Sequence, residues 1–139
     1  FLDSKPDQLL SQVRTASTGV DEQSGLLLTN QEGQMATVML SLHSKQPKRG
    51  MISCERGYIE IMEYPRAGEA KVTYTDTGKT EIIEAGDNAD ALYYEVLDME
   101  YAIISGDVSA MQLGFSKDVM DLMTAFRKEW GVSYPEEER

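Results

Sequence analysis

At Asp87 the spacing of apolar residues changes from two to nearly four, which divides the chain into a strand-forming and a helix-forming part. Upstream, short alternating runs are broken by glycine-bearing turns. Gln8 to Ser17 is one extended run, closed by Thr18-Gly19-Val20-Asp21. Gly25 to Asn30 and Gln34 to Leu42 flank Gln31-Glu32-Gly33, which predicts a hairpin. Lys48 to Cys54 and Tyr58 to Glu63 flank Glu55-Arg56-Gly57, and Val72 to Thr75 and Thr80 to Ala85 flank Asp76-Thr77-Gly78-Lys79. Glycine suits such junctions because it accepts positive φ without a steric penalty. Connections this short make neighbouring strands antiparallel.

Downstream, Ala91 to Ser105 reads as a helix, with Leu92, Val96, Met99 and Ile103 on one stripe and Gly106 at the C-cap. A second helix is expected from Ser116 as N-cap, with Asp118 near the positive end of its dipole. Val119, Leu122, Met123, Phe126 and Trp130 form its predicted apolar face. Arg127 and Lys128 fill its last turn, and Gly131 stops it. Strands followed by helices predict an α+β fold: an open, largely antiparallel sheet with helices packed on one face. In 34–42, Ala36, Val38, Leu40 and Leu42 share one side while Met35, Thr37, Met39 and Ser41 share the other. Both sides are fairly apolar, so the face without helices is expected to meet another chain or domain.

A length of 139 residues fits a single domain, 1–139. Thirteen basic against 24 acidic residues leave a net charge of −11, which repels phosphate backbones and anionic membrane surfaces. Nucleic acid and membranes are therefore not expected partners. The one cysteine, Cys54, excludes an internal disulfide and lies in an apolar strand pattern, so a buried structural thiol is expected there. No apolar run is long enough to span a bilayer and no signal-peptide pattern is visible, so a soluble, cytoplasmic protein is the expectation.

The motifs of common chemistries are missing. No two of the eleven glycines are two residues apart, as a dinucleotide fingerprint requires. Gly78-Lys79-Thr80 echoes the end of a P-loop, but in a strand–turn–strand context without the upstream glycine. His43 is the only histidine, and Ser44 beside it has no acid partner at a meaningful spacing; a strand-end or loop histidine is expected, not a base. One His and one Cys cannot build a metal site without carboxylates, and these follow no ligand spacing. Tyr93, Tyr94 and Glu95 could line a cleft, but read better as packing residues that open a helix. No catalytic, cofactor-binding or metal-binding residue is assigned within this chain.

The order of segments carries more. Thr18-Gly19-Val20-Asp21-Glu22 is followed by the strand "EGQMATVMLSL", then "RGMISCERGYIEI", "YYEVLDMEYAIISGD" and "SKDVMDLMTAFRKEWGVSYPEE". This succession, over roughly residues 6 to 138, resembles the C-terminal domain of the Gfo/Idh/MocA oxidoreductases, the family of glucose–fructose oxidoreductase, inositol dehydrogenase and dihydrodiol dehydrogenase. The resemblance implies a glyceraldehyde-3-phosphate dehydrogenase-like C-terminal domain whose sheet commonly joins subunits. It also implies an N-terminal Rossmann domain that binds NAD or NADP. In the complete enzyme, hydride would pass between nicotinamide and the carbinol carbon of a sugar, polyol or related hydroxy compound. The family's Gly-rich loop, its Glu-Lys-Pro motif and its Asp…His helix all lie upstream of the matching region. Ser4-Lys5-Pro6 lacks the Glu and comes too late in the family's order, so catalysis is not carried onto Lys5. Where the family often writes Ile-x-Gly-Thr-x-Gly, this chain has Ile52-Ser53-Cys54-Glu55-Arg56-Gly57, keeping only the final glycine. The expectation is a C-terminal fragment, inactive and free of cofactor by itself, that self-associates through its sheet. The alternative is a stand-alone self-associating interaction or small-ligand-binding module.

Overall fold

A computed structural model describes residues 2–134 as seven strands and two long helices, an α+β chain with two antiparallel sheets. The strands are β1 (Gln8–Thr15), β2 (Asp21–Thr29), β3 (Met35–Ser41), β4 (Arg49–Cys54), β5 (Gly57–Met62), β6 (Glu69–Tyr74) and β7 (Thr80–Glu84). The helices are α1 (Ala91–Ser105) and α2 (Leu113–Glu129). Where the sequence predicts one open sheet, the strands divide into β1-β2-β3 and β4-β5-β6-β7. Two compact units follow: residues 1–45 with 112–139, and residues 46–111.

In the first unit the register places Leu9, Leu28 and Ala36 side by side, then Ser11, Leu26 and Val38, then Val13, Ser24 and Leu40. Phe126 of α2 and Val132 are buried, and the indole Nε1 of Trp130 donates to Ser11 Oγ at 2.7 Å. The Phe126 and Trp130 rings stack at 5.8 Å. The turn from β2 to β3 is held by Asn30, almost fully buried. Its Oδ1 accepts from Gln34 N and its Nδ2 donates to Gln34 Oε1, both at 2.8 Å. Gly33 takes φ +78° in that turn, a conformation that would strain a residue with a Cβ.

Helix α2 begins three residues before the expected Ser116. Gln112, in the left-handed region at φ 49°, precedes it, and Ser116 N already bonds Gln112 O at 3.2 Å. Ser116 is thus inside the helix rather than its cap. Only part of the expected contact face of α2 is covered. Leu122, Phe126 and Trp130 are covered, whereas Val119 and Met123 stay exposed. Lys5 of the N-terminal segment pairs with Asp118 and Asp121 on the side next to Leu122. Gly131, at φ +68°, ends the helix as expected, and Val132 N closes onto Arg127 O at 3.0 Å. The end of the segment "SKDVMDLMTAFRKEWGVSYPEE", from Pro135 onward, lies outside the described residues; Tyr134 packs its ring 4.7 Å from the Arg127 guanidinium carbon.

In the second unit, one side of the sheet carries Ile52, Ile59 and Val72 in a row, beside Ile61, Ala70 and Ile83. The hairpin glycine that the sequence retains has a clear reason. A Cβ on Gly57 would lie 2.1 Å from the Thr73 carbonyl oxygen, so β5 and β6 can meet there only through glycine. Gly78 turns β6 into β7 at φ +68°, and Gly106 caps α1 by donating to Ala102 O at 2.9 Å. Helix α1 does not cover this sheet as expected. Leu92, Val96, Met99 and Ile103 are all exposed, and Ala102 is the one buried residue of this unit. The helix touches mainly the short 3₁₀ turns on either side of it, Asn88–Asp90 and Ser109–Met111.

Candidate functional site

The residues singled out for possible chemistry fall in separate places and assemble no reacting set. Lys5 is held by two carboxylates of α2, at 2.7 Å from Asp121 Oδ2 and 3.3 Å from Asp118 Oδ1, while Lys117 reaches Asp121 at 2.8 Å. The hydrogen bonds from Lys117 and then Lys5 lower the Asp121 carboxyl to about 2, and the bond from Asp121 raises the Lys5 ammonium above its ordinary value. A lysine engaged in this way clasps the N-terminal segment to α2.

His43 follows β3 in an exposed position, and an acid partner stands near it that the sequence reading did not find. Its Nε2 meets Glu22 Oε1, while Arg14 Nε approaches the other carboxylate oxygen at 3.0 Å. The antiparallel register is the signal that could have revealed the pair, since Leu42 N bonds Glu22 O at 2.9 Å and thereby brings the next residue, His43, beside Glu22. Ser44 does not complete a nucleophilic set; its Oγ bonds Ser41 Oγ at 3.1 Å.

Cys54 is exposed, contrary to the expected buried thiol, because it ends β4 where the strand turns through Glu55 and Arg56. Gly78-Lys79-Thr80 sits in the β6–β7 turn with no helix after it, so no phosphate cradle forms. Tyr93 and Tyr94 are also more exposed than packing residues would be. Tyr94 has a local role: its hydroxyl accepts from Asp87 N at 3.1 Å, and its ring lies against Gly86. Among the described residues, no group of His, Cys, Asp and Glu could hold a metal ion, and no helix is long and apolar enough to cross a membrane.

What the fold does present is uncovered apolar surface. On the sheet of β1 to β3, the side away from Leu9 and Leu28 exposes Leu10, Met35 and Met39. Gly25 leaves room there for the Met39 sulfur, 3.1 Å from where a Cβ would stand. The resulting open groove of about 730 Å³ runs past Leu10, Gln12, Gly25, Leu27 and Met39. On α1, Val96, Met99, Ile103 and Ile104 line a shallow groove edged by Glu95 and Glu100, and Tyr93 and Tyr101 are exposed as well. A helix with this much exposed apolar surface suits packing against a neighbour. These surfaces can bind apolar partners, but they contain no acid, base or nucleophile positioned for catalysis. No protein-family model matches the chain, and no curated protein matches it.

Proposed function

We propose that this chain is the C-terminal, substrate-side domain of an NAD(P)-dependent oxidoreductase of the Gfo/Idh/MocA type, with the glyceraldehyde-3-phosphate dehydrogenase-like fold of such domains. Its substrate in the full-length protein is a sugar, polyol or related hydroxy compound. The observation that carries this reading is the apolar surface left uncovered on both the β1–β3 sheet and α1. Surface of that extent suits a domain whose remaining neighbours are a Rossmann domain and other subunits. The succession of segments from Thr18 to Tyr134 supplies the family.

Helix α1 is preceded by Asp87 and Asp90, whose charges oppose a pyrophosphate, and α2 is preceded by Gln112 rather than a glycine loop. This supports assigning NAD(P) binding and the chemical step to the full-length protein. This chain contributes part of the wall beside the substrate and the surface that joins subunits. Calorimetric titration of the chain with NADH should give no binding heat at micromolar concentrations, whereas the full-length protein should reduce NAD(P)⁺ with a polyol or sugar. Micromolar binding by the chain alone would overturn the assignment.

The groove along Leu10, Gly25 and Met39 favours a second reading, a stand-alone self-associating or small-ligand-binding module. That reading requires the groove to take a ligand in the isolated chain. A fluorescent apolar probe displaced on Met39→Lys substitution would support it.

A further inference from the structure

We infer that α1 of one copy docks on the β4 edge of a second copy, joining an acid-edged apolar stripe to a base-edged apolar patch. This rests on the self-association in the reading above and names the surfaces that perform it.

The two surfaces have opposite charge. From Asp87 to Asp107 the chain has six acidic residues and no basic one, and Glu95 and Glu100 border the stripe of Val96, Met99 and Ile103. None of Glu95, Asp98 and Glu100 has an ion-pair partner among the described residues. The approach to β4 is the reverse. Lys45, Lys48 and Arg49 are exposed and likewise form no ion pair there, in a chain whose net charge is −11. Arg49 pairs across the ladder with Met62, and Met51 lies on the same side of the sheet. Met51 and Met62 are both at least half exposed, so cations and unbranched apolar side chains share one patch, with a single half-buried acid, Glu60, across the ladder from Met51. Methionine adapts readily to an incoming helix face.

A partner with the same net charge would be repelled unless its local charge were opposite, and the β4 edge supplies that opposite charge. The contact is also reciprocal. Each copy has one α1 and one β4 patch, so a two-fold pair makes the contact twice and closes. Leu92, Val96, Met99, Ile103, Met51 and Met62 each offer on the order of 100 Å². A two-fold pair then removes on the order of 1,200 Å² from water, at the lower end of specific interfaces.

A charge exchange tests this with the whole chain in sedimentation velocity. The wild type should dimerise at tens of micromolar. E95K/E100K and K48E/R49E should each dissociate at least tenfold more readily, with unchanged circular dichroism. An equimolar mixture of the two variants should recover the dimer, since the reversed charges then meet in one contact and the native charges in the other. If the wild type dimerises while the variants match it, or the mixture stays monomeric, this interface is wrong but self-association stands. A wild type that stays monomeric overturns self-association as well.

Discussion

Gly57 and Trp130 illustrate how single residues hold each unit. A Cβ at position 57 would meet the Thr73 carbonyl oxygen at 2.1 Å, a backbone atom that cannot swing aside. Gly57→Ala should therefore destabilise by about 2–3 kcal/mol, as overpacking does, and chemical denaturation would measure it. By contrast, Gly50 has open space around it, so Gly50→Ala lacks that clash and serves as the comparison. Trp130 joins α2 to β1 through the bond from its indole to Ser11 Oγ. Trp130→Phe keeps a ring against Phe126 but loses that bond, and should cost roughly 1 kcal/mol in the same experiment. The sequence placed Phe126 and Trp130 correctly in the covered stripe. It could not anticipate the bond to Ser11, because the partners are far apart in the chain and meet only once α2 lies against β1.

At the scale of elements, the Lys5 clasp on α2 makes a pH-dependent claim. Asp121 has its folded carboxyl lowered to about 2 by Lys117 and Lys5, against roughly 3.9 when unfolded. Its stabilising contribution is complete above the unfolded value and is lost as pH falls through the folded one. Stability should thus decline between about pH 4 and pH 2, and Asp121→Asn should flatten that part of the profile in thermal melts. Lys5, raised above its ordinary value, acts in the other direction, and its contribution fades only as pH climbs beyond that value. The strands and turns were legible because alternation and glycine placement are local signals: Gly33, Gly78 and Gly106 all take the positive φ their positions implied. The clasp of Lys5 on α2 was not legible, since its partner Asp121 is 116 residues away. Nor was the exposure of α1, whose stripe of Leu92, Val96, Met99 and Ile103 has ordinary helical spacing and only lacks something to cover it.

Over the whole molecule, the distribution of apolar surface carries the functional argument. Six residues among those described are buried, while Leu10, Met39, Val96, Ile103 and many others are not. A chain this size ordinarily conceals enough apolar side chains for a fuller core. The surplus fits a domain completed by neighbours, as the proposed function requires. Motifs alone did not carry that reading, because the proposed likeness lies in the order of segments. The coding sequence immediately upstream of Phe1 tests the central claim most directly. The account predicts an in-frame extension with a strand, a Gly-x-Gly-x-x-Gly turn and, further on, Glu-Lys-Pro. A start codon directly before Phe1 would contradict it.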